Sequence, residues 1–313
     1  MNRTHLAIGY FINSVCMIVA ISCLAAASFA EEMNRPVDLV SDIIITNFPD
    51  ALHIQLNDGR MFRLAYVVAP DPQAAEYQEA KSLVPKVFQA WKLSKAGIRI
   101  VGKNPAGEIL IEPWVYAPEM VTCGNATVED RKQMAIPRWR NQTWLLVSLG
   151  LFWLEKGIKD ETLLTTQRFA MVQGTGIWKH PEYVRRLCDL KFLESELKKP
   201  TDPWGPTVRD ERLFAARMLL RANPEIYVGK LMAVVTDPQE NDVFVRTRVA
   251  QLLDESGYKQ GTKYLMNALR NSDGTGLDQY QLNSVVREYQ GFWRAYGSSP
   301  GDRVSLLKYY DEH

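Results

Sequence analysis

Cysteine and histidine are scarce in this chain of 313 residues, and their positions exclude several kinds of site. None of the four cysteines stands in a metal-type spacing such as C-x-x-C, so a zinc site is not expected. No G-x-S-x-G sequence or cysteine-nucleophile signature accompanies a histidine, so hydrolase triads lack support. Gly174-Thr175-Gly176 is followed by no G-K-[ST] sequence, so a phosphate-binding loop of that type is not expected either.

The chain also lacks an excess of either charge. Its 37 basic residues face 36 acidic ones, and residues 1–30 contain one Arg and no acid. Without that segment the two signs balance, and a neutral chain exerts no general attraction on nucleic acid. The net charge therefore argues against a DNA-coating protein and leaves nucleic acid as a partner without support.

A long apolar run occurs only at the N-terminus, from Leu6 to Ala27. Small residues at Ser28 and Ala30 form an A-x-A-like cleavage site, which predicts that 1–30 is a signal peptide. Two alternatives are an uncleaved membrane anchor and lipid attachment at Cys23. The protein is expected to be exported to the periplasm, the envelope or the medium, with a membrane as partner only under those two alternatives.

Export leaves Cys123 and Cys188 in an oxidising compartment. Two thiols allow one disulfide and no more, or they stay unpaired and buried.

About 280 residues remain after the signal peptide, which suits two domains rather than one. The first, 37–180, reads as β-rich and then helical. A linking helix and linker follow at 181–207, where Pro200, Pro203, Gly205 and Pro206 mark a boundary. The second domain, 208–313, has a helical pattern. The expected fold class is therefore α+β.

In the first domain, alternating apolar residues at Leu52, Ile54 and Leu56 predict a half-buried strand. Asn57-Asp58-Gly59 favours a tight hairpin turn to the next strand. Pro85 is expected to kink or split the helix that contains it. The other predicted elements are a strand starting at 43–45, strands at 98–101 and 109–115 around a turn at 104–107, and helices at 74–91, 144–154 and 161–172.

The second domain shows an internal period. Apolar pairs recur 33 residues apart at Leu219-Leu220, Leu252-Leu253 and Val285-Val286, and Leu231 and Leu265 repeat at 34. This period predicts stacked helix-turn-helix units of the HEAT or tetratricopeptide type, whose concave face commonly binds another protein. An irregular helical bundle is the alternative.

The segment Phe62-Arg63-Leu64 with Val67 and Pro70 resembles the strand F-R-L-x-x-V-D-T-P-E of the staphylococcal-nuclease (thermonuclease-like) family. Three later segments match the family in the correct order: 76–81 resembles its Y-G-x-E-A helix start, 141–154 its helix L-N-x-x-L-V-x-x-G-L-A, and 176–178 its closing G-L/I-W. The resemblance covers about 42–178 and implies a five-stranded OB-type barrel with helices.

Catalysis in this family needs a calcium ion held by carboxylates, two arginines that grip phosphate, and a carboxylate that handles water. Arg63 matches the first arginine and Asp71 the water-handling acid, one methylene shorter. Asp50 remains from the early D-G-D-T segment. Val68 and Leu52, however, replace the two metal-ligand aspartates, and Glu108 replaces the second arginine of the K-Y-G-R turn.

These losses predict a pseudo-nuclease that needs no cofactor, with Asp50 as the only remnant of a metal site. Arg63 and Asp71 are catalytic, and calcium is a cofactor, only under the alternative of an active calcium-dependent phosphodiesterase on extracellular nucleic acid. Arg63 is also a candidate binding residue, as are Tyr66, Trp114 and Tyr116 if they face outward, because exposed aromatic rings stack on single-stranded bases. The leading hypothesis is an exported, non-catalytic binding or scaffold protein, and an assembly module of an envelope complex is a third.

Overall fold

The structure is a computed structural model that describes residues 38–41, 43–89, 95–119, 136–200, 206–270, 277–294 and 303–312. The chain divides into two units. Unit 1 reaches to Ala170 and includes Thr175–Ile177, whereas unit 2 comprises Met171–Gly174 and the chain from Trp178 onward. The described strands all lie in unit 1 and unit 2 is helical, so the predicted α+β class is confirmed. The predicted signal peptide and Cys123 lie outside the described residues.

Seven strands of unit 1 form one mixed sheet with the order β1-β6-β7-β4-β3-β2, and β8 pairs with β7. β4 and β7 are parallel, and the other described pairings are antiparallel. β5 and β9 form a separate antiparallel ribbon. The bounds are β1 Leu39–Ser41, β2 Ile45–Asn47, β3 His53–Leu56, β4 Met61–Leu64, β5 Val67–Val68, β6 Lys95–Lys103, β7 Ile109–Glu119, β8 Ile136–Asn141 and β9 Trp153–Leu154.

The described strands therefore outnumber the five that the sequence predicts. β5 and β9 have two residues each, which is too short for an alternating pattern to appear in the sequence. Among the described residues no hydrogen-bonded ladder joins β1 to β2, so the pairing does not close the sheet into a barrel.

The hairpin between β3 and β4 forms as predicted and places Arg63 opposite His53. Gly59 has a φ of 86° in this turn, and the Gly59 N–H donates to the Leu56 carbonyl at 3.0 Å. Alternate residues of both strands enter the core, so His53 and Arg63 lie on the opposite, half-buried face. The buried residues of the two strands are Ile54, Leu56, Phe62 and Leu64.

Three of the described helices belong wholly or mainly to unit 1: α1 Ala75–Gln89, α2 Gln142–Ser148 and α3 Glu161–Gln173. Pro85 lies inside α1 without splitting it, so of the predicted kink or split the split does not occur. Pro85 has no N–H to donate to the carbonyl of Lys81, and Lys81 is an exposed residue. Side chains of α1 and α2 pack into a core with the β5–β9 ribbon, including Ala80, Val84, Leu146, Val67 and Leu154.

The predicted helix 144–154 is wrong in its second half. α2 ends at Ser148, and β9 follows after a turn at Gly150. Gly150 has a φ of 67°, and its carbonyl accepts a hydrogen bond from the Ile177 N–H at 2.9 Å. A Cβ on Gly150 would lie 2.2 Å from the Thr175 carbonyl oxygen, so two backbone segments touch here and the helix cannot continue.

The helices of unit 2 begin after a short 3₁₀ turn at Gly176–Lys179. The linking helix predicted within 181–207 is two helices, because Asp189 accepts a hydrogen bond from the Phe192 N–H at 3.0 Å and starts a new helix. The bounds are α4 Pro181–Leu187, α5 Leu190–Leu197, α6 Pro206–Ala222, α7 Pro224–Thr236, α8 Val243–Glu255, α9 Gln260–Arg270, α10 Gln279–Arg294 and α11 Arg303–Glu312.

Arginine side chains cap the C-terminal ends of several helices in unit 2. Arg212 donates to the Leu197 carbonyl of α5 at 3.0 Å, and Arg246 donates to the Val235 carbonyl of α7 at 2.9 Å. Arg185 donates to the last carbonyl of α6 at 2.8 Å. A cation at this end satisfies orphan carbonyls and opposes the partial negative charge of the helix dipole. The helix ends are thereby joined by side chains that belong to other helices.

The described helices are too short or too polar to cross a bilayer.

Candidate functional site

Arg63 lies at the centre of the sheet of unit 1. Its strand β4 is flanked by β3 and by β7, with Arg63 aligned to Leu110 across the parallel pair. The neighbours Phe62 and Leu64 are 1% and 0% exposed, so the alternation of the strand holds Arg63 on the other face. The Arg63 side chain is 22% exposed there.

Glu108 faces Arg63 from the turn that precedes β7. The distance between Arg63 Nη1 and Glu108 Oε2 is 3.8 Å. Asn104 holds Glu108 in this position, because the Asn104 Nδ2 donates to Glu108 Oε2 at 2.6 Å and the Glu108 N–H donates to Asn104 Oδ1 at 3.0 Å. Glu108, which stands where the family has its second arginine, is therefore a fixed counterion of Arg63.

His53 lies between two carboxylates. Its Nδ1 is 2.7 Å from Asp50 Oδ2, and its Nε2 is 3.0 Å from Glu108 Oε1. This role of His53 was not predicted from the sequence, where histidine was a candidate only for a nucleophile triad. The signal is present in the sequence, because His53 follows Asp50 by three residues and lies opposite Arg63 in the predicted hairpin.

The four residues Asp50, His53, Arg63 and Glu108 form what we call the clip. Both nitrogens of the His53 ring face carboxylates, so neither is free to take a proton from a substrate. The clip joins the start of β3 to the turn before β7 by hydrogen bonds and ion pairs. Its side chains therefore cross-link these two segments of unit 1.

The carboxylates of the clip are stabilised in their charged forms. Burial alone would raise the pKa of Asp50, but the hydrogen bonds from the Leu52 N–H and from His53 outweigh it and lower the pKa. The pKa of Glu108 is lowered by its hydrogen bonds with Asn104 and His53, with a further electrostatic contribution from Arg63. Each acid therefore stays ionised to lower pH than in the unfolded chain.

The residues at the family's metal positions do not fit a calcium ion. Leu52 is half-buried against the α1–α2 core, and Val68 pairs with Trp153 in the β5–β9 ribbon. Asp50 Oδ1 accepts the N–H groups of Leu52 and His53, and its other oxygen faces the His53 ring. Calcium requires six to eight oxygen ligands, which two aliphatic side chains and an engaged carboxylate do not supply.

Asp71 is exposed, and its hydrogen bonds lie within the turn that it begins. Its Oδ1 accepts the Gln73 N–H at 2.9 Å, and its carbonyl accepts the Ala74 N–H at 2.8 Å. This is an Asx turn at the start of α1. No contact with the clip is found among the described residues, so the position of the water-handling acid is not joined to Arg63.

The aromatic candidates lie beside a buried carboxylate. Trp114 is 7% exposed and donates to Glu112 at 3.2 Å, so it does not meet the condition of facing outward. Tyr66 is half-buried with a φ of 68°, and burial together with Glu112 raises its pKa. Glu112, 2% exposed, also accepts from Arg99 at 2.6 Å. The side chain of Tyr116 lies outside the described residues.

Cys188 is a free, half-buried thiol, and its candidate partner Cys123 lies outside the described residues. Burial raises the pKa of Cys188 to about 11. Because the thiolate is the reactive form, this thiol is a poor nucleophile at neutral pH.

No protein-family model matches the chain, and a search of curated proteins found no match. The fold and the site define only a broad class, an α+β protein whose sheet carries the hydrogen bonds and ion pairs of the clip. The likeness to the nuclease family rests on its ordered motifs.

Proposed function

We propose that the chain is an exported, non-catalytic binding or scaffold protein, in which a nuclease-like domain precedes a helical-repeat domain that binds another protein. The observation that carries the non-catalytic part is Glu108, held 3.8 Å from Arg63. A carboxylate at this distance neutralises the cation that would grip a phosphate, and it repels the phosphate itself.

The chain path supports an OB-type barrel for unit 1. A flat arrangement of the six strands from β1 to β2 would place these two edges about 24 Å apart. Only residues 42–44 separate the two strands, and an extended segment from Ser41 to Ile45 spans at most about 14 Å. This short connection favours a sheet that curls until its edges approach each other, as in a partly open barrel of the OB type.

Helix packing in unit 2 supports the repeat interpretation. α8 packs against α6 and α10, and α9 packs against α7 and α11, so first helices contact first helices and second contact second. The residues that recur with the period of the sequence are buried in each pair, at Leu219, Leu220, Leu252, Leu253, Val285, Val286, Leu231 and Leu265. The three helix pairs α6–α7, α8–α9 and α10–α11 reach the minimum for a stable stack, and such stacks commonly offer a surface for a protein partner.

A cleavage assay tests the non-catalytic assignment. The purified protein is incubated with single-stranded DNA and calcium beside the Arg63→Ala variant. We expect the wild type and the variant to leave the DNA equally intact. Arg60→Ala is the matched control, because Arg60 is an exposed arginine of the same hairpin that pairs with Asp58. Cleavage that requires calcium, is lost in Arg63→Ala and persists in Arg60→Ala would instead establish the calcium-dependent phosphodiesterase.

A further inference from the structure

Unit 2 contains a cavity of about 400 Å³ between the end of α6, the start of α7 and the end of α8. Two arginines of α6 line it, Arg217 and Arg221, and one acid, Glu255. The apolar part of the wall comes from Leu220, Leu252 and Pro224. Ligand pockets in proteins combine this size with an apolar wall and a few polar groups.

Arg221 is a fixed and partly desolvated cation at this cavity. Its guanidinium donates to the carbonyls of Met171 and Val172, at the C-terminal end of α3. A Cβ at Gly174 would lie 2.9 Å from Arg221 Nη2, so a glycine there lets the guanidinium lie flat against the backbone. Only carbonyl oxygens accept from Arg221 among the described residues, and no carboxylate pairs with it. Burial, with a smaller contribution from the charge of Arg217, lowers its pKa to about 10.

Arg217 is only loosely neutralised. Its Nη2 lies 3.8 Å from Glu255 Oε2, which is longer than a charge-assisted hydrogen bond of about 2.7–2.9 Å. The two side chains are 35% and 43% exposed. Exposed pairs of this kind contribute little to stability, so Arg217 is able to exchange Glu255 for another anion at small cost.

The charges at the cavity do not balance. The C-terminal ends of α6 and α8 and the N-terminal end of α7 border it, and Arg221, in the last turn of α6, has only backbone carbonyls as acceptors among the described residues. Among the ionised side chains that line the cavity, two guanidinium groups face one carboxylate. A single additional negative charge would neutralise the excess and relieve the repulsion between the two arginines.

We propose that this cavity binds a small organic anion whose carboxylate or phosphate group contacts Arg217 and Arg221, and whose apolar part lies against Leu220 and Leu252. The Arg217 fork suits either oxyanion, because both accept two parallel N–H donors, and Arg221, whose Nη1 and Nη2 already donate to backbone carbonyls, adds its charge and its remaining N–H groups. This binding site is separate from the clip and independent of the function proposed above.

Calorimetric titration of the purified protein tests the site with four probes: benzoate, phenyl phosphate, inorganic phosphate and the neutral analogue benzamide. We expect saturable binding of benzoate or phenyl phosphate, and binding of benzamide that is weaker by about tenfold or more, since a hydrogen bond to a charged group is worth that factor. Tighter binding of phenyl phosphate would assign the phosphate group, and the reverse order would assign the carboxylate. Stronger binding of inorganic phosphate than of both aromatic anions would exclude the apolar contact.

Three variants locate the site. Arg217→Gln should weaken binding by about tenfold, and Glu255→Gln should tighten it because the internal competitor is removed. Arg248→Gln is the control, an arginine of α8 that pairs with Glu288 away from the cavity. Thermal unfolding of each variant verifies that it is folded. The proposal is overturned if no anion shows saturable binding, if benzamide binds as tightly as benzoate, or if Arg217→Gln and Arg248→Gln bind the anion with the same affinity.

Discussion

Glu108 shows how one side chain changes the use of a site. In the family that unit 1 resembles, its position carries an arginine, and both arginines grip phosphate. Here Glu108 contacts both Arg63 and His53, and Asn104 fixes its carboxylate. Arg63 and His53 are thereby paired with charges that belong to the protein itself.

Replacing His53 tests the clip as a cross-link. We expect His53→Ala to cost about 1–3 kcal/mol of local stability, because the imidazole bridges two acceptors and is 18% exposed. Hydrogen exchange read by mass spectrometry should show faster exchange of backbone amides near β3 and before β7. His180→Ala, in unit 2, is the control and should leave those amides unchanged. Equal protection in wild type and His53→Ala would rule out the bridging role.

The acids of the clip predict a dependence of stability on pH. Their pKa values are lower in the folded state than in the unfolded chain, so the stabilisation is complete above about pH 5 and is lost as the pH falls through the folded values. Asp50→Asn keeps an oxygen that accepts backbone N–H groups but removes the charge. Between pH 7 and pH 3 its melting temperature should fall less than that of the wild type. Parallel curves for the two proteins would contradict this assignment.

At the scale of elements, local sequence decides where most strands and helices begin, and distant contacts decide some of their ends. The β3–β4 hairpin follows from alternation and from the turn residues, so it was predicted. The end of α2 was not, because it depends on Gly150 meeting Gly176, which is 26 positions away along the sequence. No window of local pattern contains that contact.

Two glycine substitutions separate this close approach from simple backbone strain. Gly150 and Gly157 both have positive φ, 67° and 89°, but a Cβ at Gly157 would meet no atom within 4 Å. We expect Gly157→Ala to cost about 1–2 kcal/mol for the left-handed conformation alone. Gly150→Ala should cost more than about 3 kcal/mol, since its Cβ would overlap the Thr175 carbonyl. Chemical denaturation measures the loss of unfolding free energy in each variant. Equal losses would show that the close approach of Gly150 to Thr175 does not matter.

The arginine caps of unit 2 give a second prediction at this scale. Arg212 has a side chain 4% exposed, donates to the Leu197 carbonyl and pairs with Glu240. Arg212→Gln leaves a largely buried acid without its partner, so we expect a loss of about 3–5 kcal/mol. Arg248→Gln, at a pair 35% and 28% exposed, should cost at most about 1 kcal/mol. Unfolding of unit 2 in urea distinguishes the two, and similar midpoints would show that the caps do not stabilise it.

For the molecule as a whole, the sequence predicted the α+β class and a change of architecture from a sheet-containing part to a helical one. It also named Arg63, Glu108 and Asp50 through the positions that they occupy in a motif. It did not predict the clip, because His53 and Glu108 are 55 residues apart and meet only through the strand register. Motif positions thus located the site, and only the fold revealed which charges neutralise each other.

Calcium binding tests the central claim most directly, because it does not depend on the choice of a nucleic-acid substrate. Calcium is titrated calorimetrically into the wild type and into Asp50→Asn at neutral pH. We predict heats of dilution only, identical for both proteins, since Leu52 and Val68 offer no oxygen and Asp50 is engaged with His53. Saturable binding of one calcium ion by the wild type that Asp50→Asn abolishes would contradict the account.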